Sequence, residues 1–291
     1  MCGEYRYVKG LCIRDCVCES SVKLSFINKI KTGYHRIFNN IFKNISLPIE
    51  DSSMVRKFKK CTFVDMSNIN KTEVANGENN IFYSCVFNSV STIGKCKIYN
   101  SKILNSPTTG ATLILANIYE TKIANISKLG GSPVIHKSLI NNCTFTSEGH
   151  IYNSKLIDSG LTFSYWVNGY PFELNSCNII LNNSLALFKI PNYSLNKEIN
   201  ITGNNITSND TSCLLQFYDD RTNSKAEADY SAKYVIIQNN TIAKNSNDLI
   251  TRIGTNNIIK IKYINNSIKD TEGDIFIPTQ EIHDNVEIIV K

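Results

Sequence analysis

Phe82-Tyr-Ser-Cys85-Val-Phe87, Ile93-Gly-Lys-Cys96-Lys-Ile98 and Ile98-Tyr-Asn-Ser101-Lys-Ile103 follow one another within residues 82–103, and their common form decides the fold. Each has an apolar residue, two free positions, a small polar residue or cysteine, one free position and a second apolar residue. Towards the N-terminus the form is met again in Phe58-Lys-Lys-Cys61-Thr-Phe63. Towards the C-terminus it continues through Ile118-Tyr-Glu-Thr121-Lys-Ile123, Ile140-Asn-Asn-Cys143-Thr-Phe145, Ile151-Tyr-Asn-Ser154-Lys-Leu156 and Leu174-Asn-Ser-Cys177-Asn-Ile179. It closes with Ile180-Leu-Asn-Asn183-Ser-Leu185, Ile201-Thr-Gly-Asn204-Asn-Ile206, Ile237-Gln-Asn-Asn240-Thr-Ile242 and Tyr263-Ile-Asn-Asn266-Ser-Ile268. Internal repetition of this kind sets the architecture before any single motif is weighed.

The fourth position recurs at short intervals: 24 residues from Cys61 to Cys85, 20 from Ser101 to Thr121 and 22 from Thr121 to Cys143. Later steps are 23 from Ser154 to Cys177, 21 from Asn183 to Asn204 and 26 from Asn240 to Asn266. Such a period is too short for a helix pair, and it carries neither the leucines of a leucine-rich repeat nor the marks of a propeller blade. It predicts an all-β fold, a right-handed parallel β-helix of about 22 residues per coil, whose short strands pair with the coils above and below. The fourth position falls at an inward corner, where a small side chain fits. Asparagine can there bond its own copy one coil away, and free cysteine serves as a small buried apolar group.

Composition agrees. Charged residues are 19% of the 291, the apolar fraction is 42%, and asparagine is roughly one residue in eight. Asparagine suits turns repeated many times and is poor in helix interiors. The net charge of +6 is spread along the chain without a Lys/Arg block, so nucleic acid is not expected as a partner. No run approaches the length of a membrane span, and the N-terminus lacks a basic start followed by an apolar core; neither membrane insertion nor a signal peptide is expected. Ten cysteines without a CxxC pair predict buried thiols in a chain made in a reducing cytoplasm.

Two stretches break the rhythm. Residues 1–57 match poorly, apart from Asn39-Asn40-Ile41-Phe42, and are expected to form an irregular N-terminal cap with early coils ahead of a β-helix over 58–291. The 36-residue step from Asn204 to Asn240 exceeds one coil, and the surplus is placed in a loop insertion at 217–230. Solenoid insertions project from one face and often line a binding side.

With these coils in place, from about residue 58 to residue 268, the chain resembles the pectate-lyase-like parallel β-helix superfamily, and within it most closely bacteriophage tailspike and tail-fibre proteins. The resemblance rests on the Asn-Asn-x-Ile and Asn-x-Cys-x-Phe coils. It implies a homotrimer on a virion tail, made in the host cytoplasm, beside other tail proteins and bound to a bacterial surface polysaccharide that it sometimes cleaves. No cofactor is implied, and no family catalytic motif can be matched residue by residue.

The residues offer their own candidates. The insertion holds Asp219, Asp220, Glu227 and Asp229 with Arg221 and Tyr218. Glycoside cleavage needs two carboxylates about 5 to 9 Å apart, a separation that stacked coils can supply, so Asp219, Asp220 and Glu227 are candidate acids or bases. Arg221 is suited to holding an acidic sugar in a fork of hydrogen bonds. The plainer alternative is a solvated loop with ordinary surface charges. Phe163-Ser-Tyr165-Trp166-Val-Asn-Gly-Tyr170-Pro-Phe172 contains the only tryptophan; Tyr165, Trp166 and Tyr170 are candidates for stacking on sugar rings, unless they fill the coil interior. Cys12, Cys16 and Cys18, with Cys2, form the one cysteine cluster, but the spacing lacks zinc-knuckle pairs and no metal is expected. His150 beside Glu148 reads as a surface turn more readily than as an acid–base pair. The main expectation is therefore polysaccharide recognition, with a depolymerase (glycosidase or lyase) as the enzymatic alternative and a ligand-free structural shaft as the third.

Overall fold

The structure, a computed structural model, describes residues 12–18, 34–44, 55–66, 80–106, 110–146, 149–162, 172–182, 187–191, 199–208, 213–218, 233–244, 249–254, 259–269 and 286–290. Every regular element among them is a β-strand, and the strand pairings are parallel. The chain forms two compact units, Met1–Val134 and Ile135–Lys291, each a run of right-handed parallel β-helix coils.

In the first unit, strands Cys12–Arg14, Tyr34–Phe38, Val55–Lys59, Asn80–Tyr83, Lys97–Tyr99 and Asn117–Tyr119 stack in that order on one face. After a bend, strands Val17–Cys18, Ile41–Lys43, Thr62–Val64, Val86–Asn88 and Lys102–Leu104 build a second face. A third side carries Thr92–Ile93 and Ala111–Leu113. Because side chains alternate at period two, each face sends one column inward. The first face sends in Ile37, Phe58, Phe82, Ile98 and Ile118, and the second Phe42, Phe63, Phe87, Ile103 and Ile123, none more than 2% exposed. The phenylalanines interlock: Phe58 and Phe82 stack at 4.7 Å, Phe63 and Phe87 at 5.0 Å, and Phe63 meets Phe82 edge-on.

The second unit repeats the scheme with columns that are aliphatic up to Tyr263. Ile151, Leu174, Ile201, Ile237 and Tyr263 align on its first face, and Ile140, Leu156, Ile179, Ile206 and Ile242 on its second. Coil length is uneven: Ile81 pairs with Lys97 16 residues on, Asn178 with Asn205 27 on and Asn205 with Thr241 36 on. Strand Cys213–Tyr218 continues through Phe217 and Tyr218, and the rest of the expected insertion lies outside the described residues.

One left-handed residue makes each bend between the first two faces. In the first unit these are Asp15, Asn39, Lys60, Ser84, Asn100 and Glu120, with φ between 45° and 56°, each directly before Cys16, Asn40, Cys61, Cys85, Ser101 or Thr121. In the second they are Lys137, Asn153, Ser176, Gly203, Asn239 and Asn265, ahead of Ser138, Ser154, Cys177, Asn204, Asn240 and Asn266. Asparagine tolerates this conformation best among residues with a Cβ, which explains its abundance; Lys60, Glu120 and Lys137 carry a strain of about 1–2 kcal/mol. Gly131 at φ 90° has no substitute, because a Cβ there would lie 2.3 Å from the Leu113 carbonyl oxygen.

The residue after each bend turns inward and stitches coils together. The Asn204 side-chain amide donates to Asn240 Oδ1 at 3.0 Å, and that of Asn240 to Asn266 Oδ1 at 2.9 Å. Each Oδ1 also accepts the backbone N–H of the corner residue one coil earlier: Cys177 on Asn204, Asn204 on Asn240, Asn240 on Asn266. Ser101 and Thr121 do the same work with hydroxyls, taking the N–H groups of Cys85 and Ser101. The sequence pattern runs the cysteines as one series, but the structure sorts them onto different corners. Cys61, Cys85 and Cys177 belong to the first. Cys143 lies at the next bend, after left-handed Asn142, its N–H bonded to Ser159 Oγ at 3.0 Å. Cys96 closes the coil, leading into strand Lys97–Tyr99. All five are buried, and none is in a disulfide.

Candidate functional site

The residues singled out in the sequence fall mostly beyond description. Asp219, Asp220, Arg221, Glu227, Tyr165, Trp166 and Tyr170 lie outside the described residues, as do Asp229, Glu148 and Cys2. Tyr218 ends strand Cys213–Tyr218, its backbone in register with Pro191 and Gly254. Cys12 and Cys16 are exposed and Cys18 buried; among the described residues no group of three or more His, Cys, Asp or Glu side chains could hold a metal ion. Burial pushes the Cys96 thiol up and the Cys177 thiol up to about 11, so these two are protonated at neutral pH, whereas the hydrogen bond with the Cys85 thiol holds Cys61 below its ordinary value.

The first unit brings together a site that the motif reading did not single out. On the outer side of its first face, Phe38, Lys59, Tyr83, Tyr99 and Tyr119 occupy one column, one residue per coil. The three tyrosines stack face to face, at 5.1 Å for Tyr83–Tyr99 and 5.0 Å for Tyr99–Tyr119, within 15° of parallel. Burial, then the neighbouring phenols Tyr119 and Tyr83, pushes the Tyr99 hydroxyl above its ordinary pKa. Where the ladder ends at Tyr83 lies a groove of about 560 Å³, lined by Arg36, Ile37, Phe38, Lys57, Lys59, Tyr83, Ser84 and Asn100. That volume is within the range of ligand clefts, about 300–1,000 Å³. Its lining combines three cations, two aromatic rings and two short polar side chains, with no carboxylate among them. The signal was present in the sequence: Phe82-Tyr83, Ile98-Tyr99 and Ile118-Tyr119 place tyrosine at one offset of the repeated form, so each inward apolar residue sets the tyrosine after it outward.

The second unit carries a different cluster on the outer side of its first face, built by strands Gly149–Tyr152 and Phe172–Asn175. Register sets His150 beside Glu173. The Tyr152 hydroxyl donates to Glu173 Oε2 at 2.6 Å, while His150 Nδ1 lies 3.4 Å from that hydroxyl and 3.5 Å from the same carboxylate oxygen. The His136 ring stacks on Tyr152 at 5.0 Å. Burial first, then the hydrogen bond and charge of Glu173, pushes Tyr152 up to about 12. Burial and then the Lys137 charge hold His136 below the usual histidine range. The arrangement is a partly exposed carboxylate fixed by a protonated phenol, with an imidazole in reach.

No family model and no curated protein matches this chain. Among solved structures, similarity is found to a mannuronic acid specific polysaccharide family 6 lyase enzyme from human gut microbiota, with a TM-score of 0.47 and 10% identity. The match covers 91% of this chain and 77% of that one.

Proposed function

We propose that this parallel β-helix recognises a polysaccharide along the outer side of the first face of its first unit. The observation that carries the reading is the ladder Tyr83–Tyr99–Tyr119 running into the Arg36, Lys57 and Lys59 groove. A row of like side chains at one coil per step suits a linear polymer, because successive sugars can meet successive phenols at little ordering cost to the protein. The tyrosine edges and hydroxyls offer the mixed apolar and polar surface that sugars require. The setting we propose is the one the tailspike resemblance implies: a homotrimer on a virion tail, beside other tail proteins, aimed at a bacterial surface glycan.

Affinity electrophoresis through gels cast with capsular polysaccharides and lipopolysaccharide O-chains tests this directly. Retardation in at least one is expected, with weaker retardation for Tyr83→Ala; free migration in all of them would leave only the structural shaft. Sedimentation at low concentration reads the trimer independently.

A depolymerase is the second reading, favoured by the Tyr152, His150 and Glu173 cluster. Glycoside hydrolysis needs a second carboxylate besides Glu173, and Asp219, Asp220 and Glu227 remain the proposed partners, with Trp166, Tyr165, Tyr170, Tyr218 and Arg221 as further sugar contacts. Glu173→Gln and the Asp219→Asn/Asp220→Asn pair should each abolish release of reducing ends; unchanged release would remove that residue from the mechanism.

A further inference from the structure

The groove lies where the aromatic column skips a ring. Along Phe38, Lys59, Tyr83, Tyr99 and Tyr119 each coil contributes one side chain, and neighbouring rings in the ladder are 5.0 to 5.1 Å apart. Phe38 and Tyr83 stand two coils apart, about 10 Å, with the exposed side chain of Lys59 between them. A six-membered ring entering midway would lie about 5 Å from each aromatic face, the spacing the ladder itself adopts. Lysine is the side chain that can vacate such a slot, since its stem is flexible and its ammonium stays solvated wherever it swings.

Charge is concentrated at this point. The adjoining outward column runs Arg36, Lys57, Ile81, Lys97 and Asn117, so two cations flank the slot and the run then breaks. Lys60 adds a further charge, its Nζ 5.9 Å from the Phe38 ring centre. A nucleic acid would ask for phosphate contacts continuing along the coils, and this column instead passes to Ile81 on the next one.

We propose that the slot between Phe38 and Tyr83 is a subsite for one acidic pyranose of the bound polysaccharide. Its ring is sandwiched by the two aromatics and its carboxylate held by Arg36, Lys57 and Lys59. Ser84 and Asn100, on the groove wall, take ring hydroxyls. The proposal rests on the reading of this face as a glycan-binding surface and names what it selects. A guanidinium and two ammonium groups around one carboxylate give charge-assisted bonds that a neutral sugar cannot make.

The test uses the intact chain and a glucuronic-acid-bearing polysaccharide, compared with the same polymer after chemical reduction of its carboxyl groups to primary alcohols. The acidic form should bind at least about tenfold more tightly, and its affinity should fall as salt is raised from about 50 to 300 mM. Lys59→Gln, at an exposed position, should cost the acidic polymer about tenfold and the reduced one much less. Lys57→Gln should do the same, and Phe38→Leu should weaken both forms. Equal binding of the two polymers would overturn the acidic subsite while leaving the glycan-binding face standing. Binding of neither, where other neutral glycans are also ignored, would sink that face as well. Tighter binding of single-stranded DNA than of the acidic polymer would overturn the proposal in favour of a polyanion site of another kind.

Discussion

Asn204→Ala removes a side chain that makes three hydrogen bonds at the first corner of the second unit, and the structure sets the size of the effect. Asn204 Oδ1 accepts the Cys177 N–H at 2.8 Å, and Nδ2 donates to the Leu174 carbonyl at 2.9 Å and to Asn240 Oδ1 at 3.0 Å. Asn240 Oδ1 keeps the Asn204 N–H at 2.8 Å after the change, so it is not stranded. The Cys177 N–H is, while the Leu174 carbonyl keeps its place in the parallel ladder with the next strand. A buried donor left unsatisfied costs about 1–3 kcal/mol, so the loss should be about 2 kcal/mol. Asn204→Ser provides the internal standard. Ser154 occupies the same corner, its hydroxyl accepting the Ser138 N–H at 3.1 Å while donating to the Tyr152 carbonyl two residues back at 2.8 Å. Serine at 204 should therefore satisfy Cys177 and cost at most about half as much. Urea unfolding followed by circular dichroism gives the stability difference. Amide exchange at Cys177 gives the local one, which matters because solenoids open piecewise. Equal losses for alanine and serine, or a loss below about 1 kcal/mol for alanine, would refute the view that this column satisfies the bends.

Phe82→Ala removes a ring packed against Phe58, Phe63 and Phe87 at 4.7 to 5.7 Å and should cost about 3–5 kcal/mol in thermal or urea unfolding. Ultraviolet titration should find Tyr152 ionising near 12, and Glu173→Gln should bring it down towards 10 by removing the bond and the charge while burial persists. The sign follows: with its folded pKa above the unfolded value of 10, Tyr152 contributes stability that is intact below pH 10 and lost as pH rises through about 12. Thiol labelling read by peptide mass spectrometry should modify Cys12 and Cys16 in the native protein, and Cys61, Cys85, Cys96, Cys143 and Cys177 only on unfolding.

The coil was legible in the sequence because two inward apolar residues flank a small one, and that triplet survives variation in coil length. Which bend a triplet marks was not. Left-handed residues precede Cys61 and Cys143 at two different bends, and Cys96 closes the coil without one, so the three wear the same motif at different corners. The outward column was hidden for a related reason. Tyr83, Tyr99 and Tyr119 are 16 and 20 residues apart, and only the observed register turns those unequal steps into a vertical ladder. Sequence reasoning looked for function in the densest acids and in the only tryptophan, where composition is unusual. The ladder instead uses ordinary residues whose meaning comes from repetition.

Hydroxyl-radical footprinting with and without a polysaccharide that retards the protein tests the central claim most directly. Bound polymer should protect Tyr83 and Tyr99 in the first unit and leave Tyr152 in the second as reactive as before. Protection of Tyr152, of residues 163–172 or of residues 217–230 with none at Tyr83 would contradict it.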